Sequence, residues 1–522
     1  MDEDDRFPSS VRLTADGRRS RTLQTMTGQS QSTSVGPLPD TASQDSPVPM
    51  ALTRLVWALW LVSLGALALR LRSGGTWGLW GVVAVDGLTV TMWVAVTFFS
   101  GIVHSYARRY MAGSRTIDRF FVRVFGFTLI VMVLVAADAL ALFAAAWLAM
   151  GLVMAGLIGH VEGWTQAQAA ATHARRYFLA SSVALAVAFV AVWWATGATT
   201  VSGVASVAGT ASPTVLLFAA GALLLAAMIQ SALVPFHPWL LSSMTAPTPA
   251  SALMHAGFVN AGGILLLRFA PVFTVDTGVM LVVVIVGAAS ALTGKLLKTV
   301  QTDVKRQLGC STVGQMGFMI VQAGLGFFGA AITHLILHGF YKAYQFLGSG
   351  GQVAHEAPPD ATRGDSASTG VVGSAVVVLT ALAGGALFAA LTGKGTALDG
   401  GLLLALLVVL TTMHAAREVV RNGAVPTPIR YGALPAVFLP AIAVYAAVYR
   451  AIEGLLAGLP AVGEPLELTA VHGVVAAAFV LTYLAIEYGV YRRSQRLYVA
   501  LLNATQPPTD TLLTNTEDYN EY

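Results

Sequence analysis

The chain has 522 residues, of which 56% are hydrophobic and only 11% charged, and a mean hydropathy of +0.70 excludes a soluble globular domain. Its single cysteine, Cys310, excludes an internal disulfide and any CxxC zinc site, and with no acid or base pattern around it reads as an inert packed thiol. Net charge is +4, so the placement of the charges says more than their sum.

Residues 1–50 are rich in Ser, Thr, Asp, Gln, Pro and Arg with no sustained apolar period, which reads as a disordered cytoplasmic tail rather than a secretory signal. Apolar runs of spanning length, about 20 residues, then recur almost to residue 492. About fourteen helices are expected: 51–71, 79–101, 117–136, 138–159, 176–196, 213–234, 250–270, 277–297, 308–327, 328–349, 371–392, 400–420, 432–456 and 470–491. The expected fold class is an all-α polytopic membrane protein. A polar loop over 351–370 separates ten earlier helices from four later ones, and 492–522 form a cytoplasmic tail. Its Asn503-Ala504-Thr505 sequon faces the cytoplasm in this topology and carries no meaning.

Arginine and lysine fall mainly in alternate loops. One side has Arg108, Arg109, Arg115 and Arg119, then Arg175 and Arg176, Lys305 and Arg306, Arg417, Arg421 and Arg430, and finally Arg492, Arg493 and Arg496. The other has Arg70, Arg72 and Arg450, with Glu453, Glu464 and Glu467 in its last loop. By the positive-inside rule both termini are expected in the cytoplasm.

Between helices, GLGFFG at 324–329 satisfies GxGxxG, but that fingerprint needs a preceding buried strand and a following helix start. Between two membrane helices it reads as a tight connection of small residues. The stretch 230–263, QSALVPFHPWLLSSMTAPTPASALMHAGFVNAGG, holds prolines 235, 238, 247 and 249, which forbid one straight helix. Broken backbone at membrane depth is tolerated only where protein covers it or water reaches it, and it points to a transport site. His255 and Asn260 follow directly, and beside such a break His255 reads as a proton carrier rather than a packing residue.

The stretch THLILHGFYKAYQFL, 333–347, places His334, His338 and Lys342 at intervals of four. Steps of four drift only ~40° on a helix, so the three form a column about 12 Å long. Each ionised group near a bilayer centre costs at least ~2.5 kcal/mol, so three on one face imply a shared hydrated or paired environment. Lysine is otherwise scarce: Lys295 and Lys298 end the eighth helix, Lys305 lies in a loop, and Lys394 in LTGKGTALDG interrupts the eleventh. Lys298 reads as snorkelling to the cytoplasmic surface. Asp86, Asp138, His414 and Glu487 are further ionisable groups in or beside membrane segments, with Asp138 placed to cap a helix. Breaks in the sixth and eleventh helices, five apart, would run in opposite directions, the arithmetic of an inverted repeat. The corresponding parts are N-terminal helices over 51–116, a first five-helix bundle over 117–270, a second over 277–420 and C-terminal helices over 432–491.

Four stretches, VPFHPWL, APTPASALMHAG, QTDVKRQLGCSTVGQMGFM and HLILHGFYKAYQFLGSG, resemble the proton-translocating antiporter-like membrane subunits of respiratory complex I and of multisubunit sodium/proton antiporters. The resemblance covers about residues 80–420 and implies an inverted pair of five-helix bundles crossed by buried lysine, histidine and glutamate. Carried over by position, it implies a proton path through His255, Lys295, His334, His338, Lys342 and Lys394. Two positions depart from the family motif: Leu148 follows Trp147 where the family has glutamate, and Gln230 precedes Ser231-Ala232 where it has lysine.

Within this superfamily, HAGFVNAGG and HGFYKAYQFLGSG look most like DabB, the membrane subunit of two-component inorganic carbon pumps. That likeness implies a large cytoplasmic zinc-binding partner, DabA, resembling a carbonic anhydrase, whose hydration of CO2 to bicarbonate is driven by cations, protons or sodium ions, flowing through the membrane subunit. This chain shows no zinc constellation, catalytic residue or cofactor motif of its own. The competing expectations are a subunit of a sodium/proton antiporter or of a complex I or hydrogenase-type pump, and a membrane anchor that only docks an enzyme.

Overall fold

The computed structural model describes residues 46–352, 370–421, 427–461 and 465–506. Residues 1–45 of the expected disordered tail, most of the 351–370 loop and the last residues of the C-terminal tail lie outside that range, whereas the end of the expected N-terminal tail is helical, α1 starting at Val48. In chain order the described helices begin with α1 (Val48–Ser73), α2 (Gly87–Tyr110), α3 (Ile117–Ala136), α4 (Leu140–Ile158), α5 (Thr165–Thr196) and the short α6 (Val201–Val207). Next come α7 (Pro213–Gln230), α8 (Pro238–Ser242), α9 (Thr248–Ala256), α10 (Ala261–Arg268), α11 (Ala270–Phe273), α12 (Thr277–Thr299), α13 (Val304–Gly324) and α14 (Phe328–Leu347). The last are α15 (Val371–Thr392), α16 (Gly401–Arg421), α17 (Thr427–Leu456), α18 (Ala470–Glu487), α19 (Val490–Arg493) and α20 (Gln495–Ala504).

Twelve segments of the described chain, with 248–268 counted as one, are long and apolar enough to cross a membrane, and the protein is a multi-pass membrane protein. Helices α13 and α14 have comparable lengths, 21 and 20 residues, but carry the polar residues of the column and its neighbours. Polarity is tolerable there because the other helices enclose them: Cys310, Thr312, Gln322, Thr333, His338 and Lys342 are all buried. Glycine makes the closest helix pair possible. Gly287 and Gly294 of α12 face Gly317 and Gly314 of α13 so closely that an added Cβ would meet backbone atoms, the small-residue packing that membrane helices favour.

Besides α5, which starts at Thr165 rather than 176 and so holds Arg175 and Arg176 within a helix and not a loop, three elements differ from the sequence expectation. The second helix starts at Gly87 instead of 79, because β1 (Trp77–Leu79) and β2 (Val83–Val85) form an antiparallel hairpin turning through Trp80 and Gly81, both at positive φ. Asp86 then caps α2 by accepting from the Thr89 amide at 2.9 Å. Second, α15 runs unbroken to Thr392 and ends at Gly393, whose φ of +72° is left-handed. Lys394 therefore lies in the connection to α16 and interrupts no helix, since glycine at that position terminates one. Third, the C-terminal tail begins with a helix, α20, whose buried Leu501 packs with Leu297 and Val300 at the end of α12.

The proline-rich stretch behaves as its composition demands. Helix α7 stops at Gln230, and the chain crosses to α9 through the loop before α8 and a 3-10 turn at Ser243–Thr245. A second interruption follows at Gly257, where a 3-10 turn over Phe258–Asn260 separates α9 from α10. GLGFFG forms the tight α13–α14 connection expected of it, with Gly326 at φ +86°.

Candidate functional site

The interrupted α9, the polar α13 and the column helix α14 meet in the second half of the fold. Lys342 is fully buried, and its Nζ donates to the Leu308 carbonyl of α13 at 2.9 Å. One turn back, His338 is buried and lies within electrostatic reach of Lys342, His334 and His255. The His334 and His338 rings stack with centroids 5.7 Å apart, and His334 packs on Phe318 of α13 at 5.2 Å. From α9, His255 pairs through Nδ1 with the Thr312 hydroxyl at 3.0 Å and stacks on Phe346 of α14 at 4.2 Å. Its position depends on the break after it: Asn260 donates to the Ala256 carbonyl at 2.7 Å, satisfying backbone that the interruption frees.

Four imidazole nitrogens in this cluster, His255 Nε2, His334 Nε2 and both of His338, have no protein hydrogen-bond partner. Buried polar atoms are nearly always paired, so a file of histidines with unpaired nitrogens is costly unless water or a transferring proton uses them. Thus His255 joins His334, His338 and Lys342 in one cluster, and only the last three share a face by their sequence spacing.

Lys295 and Lys394 lie apart from it, at opposite ends. Toward the end of α12, Lys295 Nζ is 2.8 Å from His414 Nε2 of α16. His414 Nδ1 is 3.7 Å from the Glu487 carboxylate of α18, which also takes a 3.0 Å contact from Arg417. At the other end, Lys394 Nζ is 3.4 Å from Glu453 of α17 and 5.1 Å from the centre of the Phe327 ring. Tyr449 donates to Glu453 at 2.9 Å. One turn back along α17, Tyr445 faces buried Gln322 of α13, one turn from the Phe318 on which His334 packs.

The first half has no such file. Leu148 is partly buried, and the preceding Trp147 spends its indole N–H on Ser181 at 3.0 Å. Gln230 is buried at the end of α7 with neither amide atom paired to protein. Sequence reasoning missed one ionic contact here, the buried Arg268–Asp86 pair between α10 and the cap of α2. Arg268 also donates to Thr89 Oγ1 at 2.8 Å and to the Val135 carbonyl at 2.5 Å. Asp138 does not cap the helix it precedes, since α4 begins at Leu140 without a side-chain cap; its carboxylate instead accepts from the Ser202 amide and hydroxyl in the first turn of α6, each at 2.8 Å. Among the described residues no group of three His, Cys, Asp or Glu side chains could hold a metal ion.

Helices interrupted at membrane depth beside buried histidine and lysine define an antiporter-like membrane subunit. The family model for the transmembrane region of NADH:quinone oxidoreductases and Mrp antiporters matches residues 137–414, and that for the N-terminus of complex I chain 5 matches 81–121. The chain belongs to the NADH:quinone oxidoreductase/Mrp antiporter transmembrane family.

Among its relatives, the "probable inorganic carbon transporter subunit DabB1" of Halothiobacillus neapolitanus is 40% identical over 286 residues, 53% of this chain and 51% of that protein. The "probable inorganic carbon transporter subunit DabB" of Bacillus subtilis is 37% identical over 59% of this chain and 62% of that protein. NADH-quinone oxidoreductase subunit L of Mycobacterium tuberculosis is 37% identical over 51% of this chain and 42% of its own length. The chain thus spans about half the length of the relatives it matches. In fold it is similar to a chain of the Mrp complex from Dietzia sp. DQ12-45-1b, with a TM-score of 0.58 at 20% identity over 87% of this chain and 58% of that one.

Proposed function

We propose that this chain is the membrane subunit of an energy-coupled inorganic carbon pump, in which protons moving through its second half drive hydration of CO2 to bicarbonate on a zinc-bearing partner subunit. The supporting observation is the buried cluster of His334, His338, His255 and Lys342, combined with loss of the first-half pair at Leu148 and Gln230. A histidine can accept a proton on one ring nitrogen and release one from the other near neutral pH. Stacked imidazoles followed by a desolvated lysine are therefore a chain of acceptors whose occupancy changes one step at a time. The likeness to subunits named DabB favours carbon as the cargo, and the alternating basic loops favour a cell-membrane location with both termini in the cytoplasm.

Expression of the Lys342→Ala chain with its partner in a carbonic-anhydrase-deficient host tests this reading. Carbon-dependent growth should be lost while the protein still reaches the membrane, and normal growth would overturn the assignment. A second reading, a sodium/proton antiporter or complex I-type subunit, is favoured by the M. tuberculosis relative. Copurification separates the two: a large soluble zinc protein supports the first, a set of small membrane subunits the second.

A further inference from the structure

The buried column ends at Lys342, and a second group of ionisable side chains stands within electrostatic reach of its surroundings. Lys295 lies one turn from the end of α12, with Lys298 and Glu418 within electrostatic reach, and Lys298 is likewise within reach of Lys342. Its ammonium meets His414 at 2.8 Å, and the far nitrogen of that ring faces Glu487 at 3.7 Å. Exposure rises and falls along this file in a telling way: the His414 side chain is 31% exposed, while Glu487 is only 4% exposed. A carboxylate so buried needs a charge partner, and Arg417 supplies it at 3.0 Å. Arg417 and Glu487 both lie beyond the segment matched by the family model, which stops at 414.

We propose that Lys295, His414 and Glu487 form a proton outlet from the column, with His414 as the obligatory relay and Arg417 positioning Glu487. This rests on the reading of the column as a proton path. In the transfer an N–H bond of the Lys295 ammonium breaks as Nε2–H forms on neutral His414. The Nδ1–H of the same ring breaks as O–H forms on Glu487. One proton has moved from lysine to carboxyl, lysine is neutral, and the imidazole is left as its other tautomer. Rotation of the ring, which its partial exposure permits, turns the protonated Nε2 toward Glu487 and the bare Nδ1 toward Lys295, ready for the next proton. The 3.7 Å separation exceeds hydrogen-bond length, so a side-chain shift of less than about 1 Å must accompany the second transfer.

The test is proton flux in proteoliposomes containing the full chain with its copurifying partner subunits, read by a pH-sensitive dye. His414→Gln and His414→Ala should each slow flux about 100-fold or more, the low end for loss of a general acid–base group. Added imidazole should restore flux to His414→Ala but not to Lys342→Ala. Unchanged flux in His414→Gln together with lost flux in Lys342→Ala would overturn the outlet and leave the column standing. Unchanged flux in both would remove the column reading itself. If His414→Ala assembles but imidazole fails to rescue it, the residue is structural and the relay is wrong.

Discussion

At the scale of single residues, the sequence marked the column because its chemistry is local. His334, His338 and Lys342 share one helix at i, i+4 spacing, so their common face follows from helix geometry alone. Their partners were illegible for the opposite reason. The contacts of Lys295 with His414, Lys394 with Glu453 and Asp86 with Arg268 span 119, 59 and 182 positions, and no local pattern encodes them. His160, in the loop between α4 and α5, is a further case. It is buried, 3.0 Å from the Thr116 hydroxyl, and held at a pKa of about 4, below the ordinary 6.5, by burial and then by Arg123 and Arg119, against an opposing pull from Glu162. Because the folded value is depressed, its contribution to stability is complete above pH 6.5 and is lost as pH falls toward 4, at up to ~1.4 kcal/mol per pH unit. Thermal unfolding in detergent should therefore show a steeper fall in Tm across that window for the natural chain than for His160→Gln. Equal slopes would show that the ring does not titrate with folding.

At the scale of elements, the helices were legible from apolar runs, whereas their interruptions were only partly so. Prolines announced the break after α7, but the one at Gly257 has no proline and depends on Asn260 reaching back to Ala256. The hairpin before α2 was hidden because its residues are as apolar as the helix they precede. That helix start is tied to α10 by Arg268, which gathers Asp86, Thr89 and the end of α3 at one point. Removing one partner of a buried ion pair leaves an uncompensated charge, at a cost of about 3–5 kcal/mol. Arg268→Met should lower the melting temperature of the detergent-solubilised protein markedly, and Asp86→Asn added to it should recover part of the loss. A single variant that melts like the natural chain would show that the clamp contributes nothing.

At the scale of the molecule, the end of α2 with Arg108 and Arg109, the start of α13 with Lys305 and Arg306, and helices α19 and α20 should share one side. Two contacts bring α20 to that side: His237 Nε2 is 3.2 Å from the Ala504 carbonyl, and Gln301 donates to Thr505 at 2.7 Å. Cys310 is buried, so a Cys310→Ser chain gives a thiol-free background for mapping the sides. A cysteine replacing Trp80, 90% exposed on the hairpin turn, should react with an impermeant maleimide in intact cells. Cysteines replacing exposed Arg109 and Arg496 should react only after lysis, and the reverse pattern would invert the topology. Helix α14 has one more consequence. It turns His338 and Lys342 inward yet leaves Phe340, Tyr341 and Tyr344 46%, 55% and 78% exposed, so the column is insulated on that flank by the thickness of one helix, about 10 Å. A neighbouring subunit laid along those aromatics would stand beyond contact with the column but inside its field, which a low-dielectric bilayer screens weakly.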